Sequence, residues 1–301
     1  MSGGWMSKER RIMSGFARMP GWGGWRRRGG FTLVELLIVI GIIGVLAALG
    51  LTSYSRARES AAKIACVSNL RQIGAAMLMY VQDNEQVFPF SSGLNRPSRK
   101  EDWIVWLPGG IPGATTNPEE LINHSALGKY LRVRGPAYVT LMRCPSDDGT
   151  RGGGVTYRYS YGMNYMYASD TYMNVGPPVP GAPNPPPVPR MPAINRPTEK
   201  VLVAEENERT INDGLWAPGN YTDPTRSAWV VQWDYLSVRH DERKGEFRQP
   251  VVGQLPKQGK RGNVLFVDGH VDYVPRSMAH DPKYLLPSNE GTGRLPPDPA
   301  P

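Results

Sequence analysis

Cysteine and histidine are both scarce in this chain. Two cysteines, Cys66 and Cys144, among 301 residues cannot build a disulfide scaffold, and by count alone they do not make a zinc site. Four histidines (His124, His240, His270, His280) provide no His-Glu-x-x-His pair, and no Gly-x-Ser-x-Gly elbow occurs. Gly152-Gly153-Gly154 lacks the lysine and following helix of a phosphate-binding loop. Hydrolytic and nucleotide-dependent chemistry therefore find no motif here, and the expectation is a chain that is not an enzyme and has no cofactor or resident metal. Proline is also missing from a long stretch, none occurring between Phe31 and Val87.

Basic charge is present but localised. The formal net charge is +8, yet Met1–Gly30 carries seven basic residues (Lys8, Arg10, Arg11, Arg18, Arg26, Arg27, Arg28) against Glu9. Taking away that +6 leaves +2 for the rest of the chain, so no nucleic-acid partner is expected. The same arginines precede an apolar segment of 21 residues from Phe31 to Leu51, interrupted by one acid, Glu35. At about 1.5 Å per residue such a helix spans a hydrocarbon core of roughly 30 Å. Basic residues on its N-terminal side keep that side cytoplasmic and send the remainder outward. A carboxylate within the span costs at least about 2.5 kcal/mol on insertion scales and calls for a partner.

The helix is expected to continue beyond the membrane. Cys66, Leu70, Ile73, Met77 and Tyr80 follow at steps of four and three, with Arg58, Lys63, Arg71, Gln72 and Gln82 on the other faces. Pro89 is the stop signal, which places the amphipathic half at 53–87. Strands are expected at Tyr157–Tyr161 (half-buried, from the alternating tyrosines), Val201–Glu205 and Trp229–Tyr235. Trp103–Trp106 reads as a short strand or buried turn, and Pro118–Tyr130 as a helix. Ten prolines in the 22 residues 176–197 read as an extended surface loop, and 287–301 as a disordered tail. Asp268-Gly269 between Asn263–Val267 and His270–Val274 predicts a hairpin closed by a type I′ turn.

Gly30-Phe31-Thr32-Leu33-Val34-Glu35, with the basic leader before it and the apolar run behind, resembles the processing site of type IV prepilins and type II secretion pseudopilins. A secretory signal would instead be cut after a shorter apolar core. The resemblance implies removal of residues 1–30 by a prepilin peptidase, with cleavage between Gly30 and Phe31 and N-methylation of Phe31. It also implies assembly through Glu35, the acid at the fifth mature position. Asn69–Ile73, Cys144–Asp147, Ser160–Asn164 and the Phe266–Val271 hairpin extend the likeness to a bacterial subgroup marked by a histidine and a following Asp-Gly. Here those residues are His240, Asp268, Gly269 and His270, with Asp241–Arg261 inserted between.

The fold class implied is α+β and pilin-like: a transmembrane half-helix at 31–52, its amphipathic continuation, and an antiparallel β-rich head over 88–286. The implied partners are the peptidase, other pilin or pseudopilin subunits, an inner-membrane assembly machine and lipid. The location is the inner membrane, single-pass, with the head extracytoplasmic. Such a destination permits one disulfide between Cys66 and Cys144; two small buried side chains is the equally open reading. The turn acids Asp147, Asp148, Asp268 and Asp272 resemble calcium sites of some pseudopilins, but no sequential calcium loop accompanies them. A membrane-tethered module binding a polysaccharide or envelope protein is the alternative function, and Glu35 separates the two, since a simple tether has no use for a buried acid.

Overall fold

The computed structural model describes residues 31–92, 99–105, 124–147, 159–168, 190–208, 210–211, 213–217, 234–241 and 260–287. The leader with Gly30, most of the proline-rich loop, Trp106, Asp148, Tyr157, 229–233 and the tail beyond 287 lie outside these residues. The chain divides into two compact units, Met1–Thr52 and Ser53–Pro301.

Helix α1 runs over Leu33–Asp83, 51 residues, and contributes to both units. In the first unit every leucine, isoleucine and valine from Leu33 to Leu49 is exposed, at 43% to 78% of its surface. In the second unit the stripe expected from the sequence is buried: Cys66, Leu70, Ile73 and Met77 are inaccessible, joined by Ala76 and Val81, with Tyr80 half-buried. Each such leucine or isoleucine contributes roughly 1.5–3 kcal/mol of apolar transfer. By length and composition Arg56–Asp83 also meets the measure of a membrane span, but 44% of its most apolar window is buried inside the protein. That apolarity belongs to the core of the head.

The helix stops at Asp83, four residues before the expected end. Glu85 (φ 52°) and Gln86 (φ 66°) both take left-handed conformations, and Gln86 N donates back to the Val81 carbonyl at 3.0 Å. Neither residue is the glycine that usually marks such a stop, so nothing in the sequence announces it.

The second unit is built on a five-stranded sheet in the order β3-β1-β2-β4-β5. Its strands are β1 Tyr161–Asn164, β2 Val201–Glu205, β3 Leu215–Trp216, β4 Arg261–Phe266 and β5 Val271–Pro275. Neighbours β1-β2, β2-β4 and β4-β5 are antiparallel, while β3 lies parallel to β1. The head is therefore α+β as expected, with a mixed sheet in place of a purely antiparallel one. The chain reverses after β2 and crosses to the far side of β1, and that route makes the pairing parallel.

Alternation along β4 sends Leu265, followed by Val267 just beyond the strand, into the core with α1, and Val264 and Phe266 into a second core with Trp216, Leu236, Ala279 and Leu285. The second core is covered by two short helices, α3 (Arg276–Ala279) and α4 (Pro282–Leu285). With both faces covered, β1 is buried throughout; it begins at Tyr161, where the half-buried strand expected at Tyr157–Tyr161 ends, and Tyr159 is buried just ahead of it. Trp103, Ile104 and Val105 form a buried bend, and Trp103 Nε1 donates to the Gly214 carbonyl at 2.8 Å. Of the helix expected at Pro118–Tyr130, residues 118–123 lie outside the described residues and 124–130 are turns, and a six-residue helix α2 follows at Pro136–Leu141. Tyr235 lies outside the named strands, and Leu236 makes only an isolated bridge to Glu206.

The β4-β5 hairpin falls where Asp-Gly places it, but its turn differs. Gly269 N donates to Phe266 O at 3.0 Å, and Phe266 N donates to His270 O at 2.9 Å. Only Gly269 (φ 93°) has positive φ, so this is a three-residue loop with a glycine bulge. A type I′ turn would require positive φ at Asp268 as well.

Candidate functional site

Two constellations carry the residues singled out from the sequence. The first lies at the start of α1. Thr32 N and Thr32 Oγ1 donate to Glu35 Oε2 at 2.9 and 2.8 Å, and Glu35 N donates to Thr32 Oγ1 at 3.2 Å. This is a reciprocal capping box: Thr32 is the cap, and Glu35, three residues on, returns the bond. The Thr-x-x-Glu spacing was available in the sequence as a helix-start signal. Phe31 precedes the cap and is 79% exposed. Glu35 thus has a polar partner within its own chain, one residue from the bond at which the leader would be cut.

The second constellation is in the head. The Sγ atoms of Cys66 and Cys144, a carboxylate oxygen of Glu205 and a ring nitrogen of His240 all lie within 4.8 Å of one another. Four separate segments bring them there. Cys66 comes from the buried stripe of α1. Cys144 follows α2, its amide donating to Ser160 Oγ at 2.9 Å. Glu205 ends β2. His240 stands on the segment 234–241, tied to the sheet where Ser237 N donates to Glu205 O at 2.7 Å. Gly262 of β4 permits this approach, because a Cβ there would run into the Ser237 carbonyl oxygen.

The partners define the electrostatics. His240 Nδ1 meets Glu59 Oε1 at 2.7 Å, and its Nε2 faces Cys144 Sγ at 3.5 Å and Glu205 Oε1 at 3.4 Å. Glu59 in turn accepts from Ser146 Oγ at 3.0 and 3.2 Å. Glu205 Oε2 accepts from Asn263 Nδ2 at 2.9 Å, while its Oε1 accepts no hydrogen bond and contacts Arg239 Nε at 3.4 Å. Arg239 also pairs with Asp147 at 3.2 Å and Glu208 at 3.2 Å. Burial raises the Glu205 pKa, but the Arg239 charge and the His240 ring outweigh it and lower it to about 2. Burial likewise lowers that of His240, and the contacts with Cys144 and Glu205 reverse this, raising it to about 10. Cys144 is pushed up, chiefly by burial.

The structure does not bring His240 together with the Asp268-Gly269 turn. Asp268 Oδ1 is held by His270, at 3.1 Å from its amide and 2.6 Å from its Nδ1, and the His270 ring stacks on Phe266 at 4.2 Å. Cys66 and Cys144 are both thiols here, though close. Of the turn acids, Asp147 is buried against Arg239 and accepts from Ser160 Oγ at 2.6 Å, whereas Asp272 is exposed. Glu59 and Glu205 are the participants that sequence reasoning passed over. Glu205 did leave a signal, an acid closing the otherwise apolar strand Val201–Ala204 and followed at once by Glu206.

An exposed apolar helix start with a capped acid, together with an α+β head on the same helix, defines the class of prepilin-like membrane-anchored proteins. The prokaryotic N-terminal methylation motif matches residues 25–51, and a family described as a protein of unknown function (DUF1559) matches residues 55–186. The type II secretion system core protein G of Escherichia coli K12 is 38% identical over 123 residues, 36% of this chain and 83% of that protein. That of Aeromonas hydrophila is 30% identical over 113 residues, 35% of this chain and 79% of the relative. The Klebsiella pneumoniae protein is 34% identical over 94 residues, and the match spans 62% of its length. The chain belongs to this pseudopilin family. No solved structure matches it.

Proposed function

We propose that the chain is a structural subunit which polymerises through the start of α1 in a type II secretion or type IV pilus-type machine. A peptidase at the cytoplasmic face would cut between Gly30 and Phe31, methylate the new amine, and leave the head on the outer side of the membrane. The observation that carries this reading is the capped Glu35 at the head of the exposed apolar run Leu33–Leu49. Lipid and neighbouring helices are the surroundings that such a surface fits. Cleavage would create a positive amine at Phe31, one residue before the cap.

In the membrane the Glu35 carboxylate and the Phe31 amine of a neighbouring subunit would relieve each other's desolvation. Apolar surfaces alone can slide past one another, so the charged pair would also set the axial register. Single cysteines placed on the exposed face, such as Ile43→Cys, test this by crosslinking of processed protein in membranes. Wild type is expected to crosslink between subunits. Glu35→Leu is expected to insert and be cleaved, yet to lose that crosslinking. Equal crosslinking in the two would remove the acid from assembly and favour a tethered binding module.

A further inference from the structure

We propose that Cys66, Cys144, Glu205 and His240 form a structural metal site in the head for a divalent transition ion of the zinc class. It goes beyond the assembly role and stands independently of it. Two thiolates, one imidazole and one carboxylate make a four-ligand set suited to tetrahedral zinc, and the four ligand atoms already converge.

Two edges of the cluster match those of a tetrahedron around one ion, and the remaining ones lie within 4.8 Å. Zinc bonds of about 2.3 Å to sulfur and about 2.0 Å to nitrogen or oxygen imply ligand-to-ligand edges of about 3.6 Å for sulfur–nitrogen and about 3.3 Å for nitrogen–oxygen. The corresponding separations are 3.5 Å from Cys144 Sγ to His240 Nε2 and 3.4 Å from His240 Nε2 to Glu205 Oε1.

The surroundings supply what metal ligands need. Glu59 accepts a hydrogen bond from Nδ1–H of His240 at 2.7 Å, which aims Nε2 at the cluster, and binding the ion displaces the Nε2 proton. Ser146 holds Glu59 in place. Asn263 holds Glu205 Oε2, so that Oε1, which accepts no hydrogen bond, is the oxygen presented to the cluster. One divalent ion with two thiolates and a carboxylate carries a formal charge of −1, and the Arg239 guanidinium lies against that carboxylate. All four ligands are protein groups, so the site is closed, as structural sites are. It would tie the α1 spine, the turn after α2, β2 and the His240 segment at one point.

A disulfide between the cysteines is the competing fate of the same sulfurs. It would require them to approach to about 2.05 Å, and it gives no role to the aligned imidazole or to the Glu205 oxygen beside it.

The test uses the detergent-solubilised full chain, purified without reductant and loaded with Co²⁺ as a spectroscopic probe, with Zn²⁺ in competition. One equivalent of Co²⁺ is expected, with a sulfur-to-cobalt charge-transfer band and the ligand-field bands of tetrahedral cobalt, displaced by Zn²⁺. Cys144→Ser should lower the charge-transfer intensity by about half, and Cys66→Ser with Cys144→Ser should remove it. Glu59→Gln leaves all four ligands in place on a half-exposed side chain and should weaken affinity by about 10–100-fold while the fold is kept. Octahedral cobalt spectra, a folded protein that binds no stoichiometric metal, or unchanged affinity in Glu59→Gln would each overturn the proposal. So would thiol titration showing Cys66 and Cys144 oxidised to a disulfide in the protein as purified.

Discussion

One helix, α1, carries apolar residues with two opposite fates. From Leu33 to Leu49 they surround the helix and are all exposed, whereas between Ala62 and Val81 most fall on one buried stripe, with Ile64 and Met79 left exposed off it. Mean hydropathy does not separate the halves, since Arg56–Asp83 is also apolar enough to cross a bilayer. Periodicity does. Steps of three and four leave Arg58, Arg71, Gln72 and Gln82 exposed while Leu70, Ile73 and Met77 meet the sheet. An uninterrupted run leaves no polar face, and its surface is satisfied by lipid or by other copies of the helix.

Alanine substitutions in the two halves break this comparison most sharply. Leu70→Ala should cost the head about 2–5 kcal/mol in denaturant unfolding, because the buried site leaves a cavity. Leu37→Ala, on the exposed run, should leave head unfolding within about 0.5 kcal/mol of wild type. Equal effects would mean that the stripe is not the core. A smaller effect is expected from Asp234→Asn, which concerns the head alone. Asp234 is buried, and desolvation together with the neighbouring Asp213 charge holds its pKa well above 3.8. Its folded state therefore keeps a proton that the unfolded chain releases, so stability falls as pH rises from about 4 towards the folded value. The asparagine variant should be relatively more stable at pH 8 and show a flatter dependence of melting temperature between pH 4 and 8. A steeper dependence would show that Asp234 is ionised in the fold.

Sequence reasoning reached furthest where local chemistry decides. Val201–Glu205 is β2 residue for residue, the stripe of α1 is the buried face, and the Asp-Gly pair does close the hairpin. It fell short where tertiary packing decides. The segment around Tyr159 and Tyr161 looked half-buried because the sequence does not reveal that α3 and α4 cover the second face of the sheet. The end of α1 was missed because Glu85 and Gln86 adopt positive φ without glycine. His240 stood out in the sequence, yet its neighbours Glu59 and Glu205 come from segments far away along the chain. Spacing motifs are silent about such convergence, which only the packing of α1 on β2 and β4 creates. At the start of α1 the opposite holds, since Thr32 and Glu35 are three residues apart and the motif is the geometry.

The mass of the N-terminal peptide of membrane-extracted protein tests the central claim most directly. A chain beginning at Phe31 with a methylated amine is the expected result. An intact leader, or a mature end near residue 50, would contradict it.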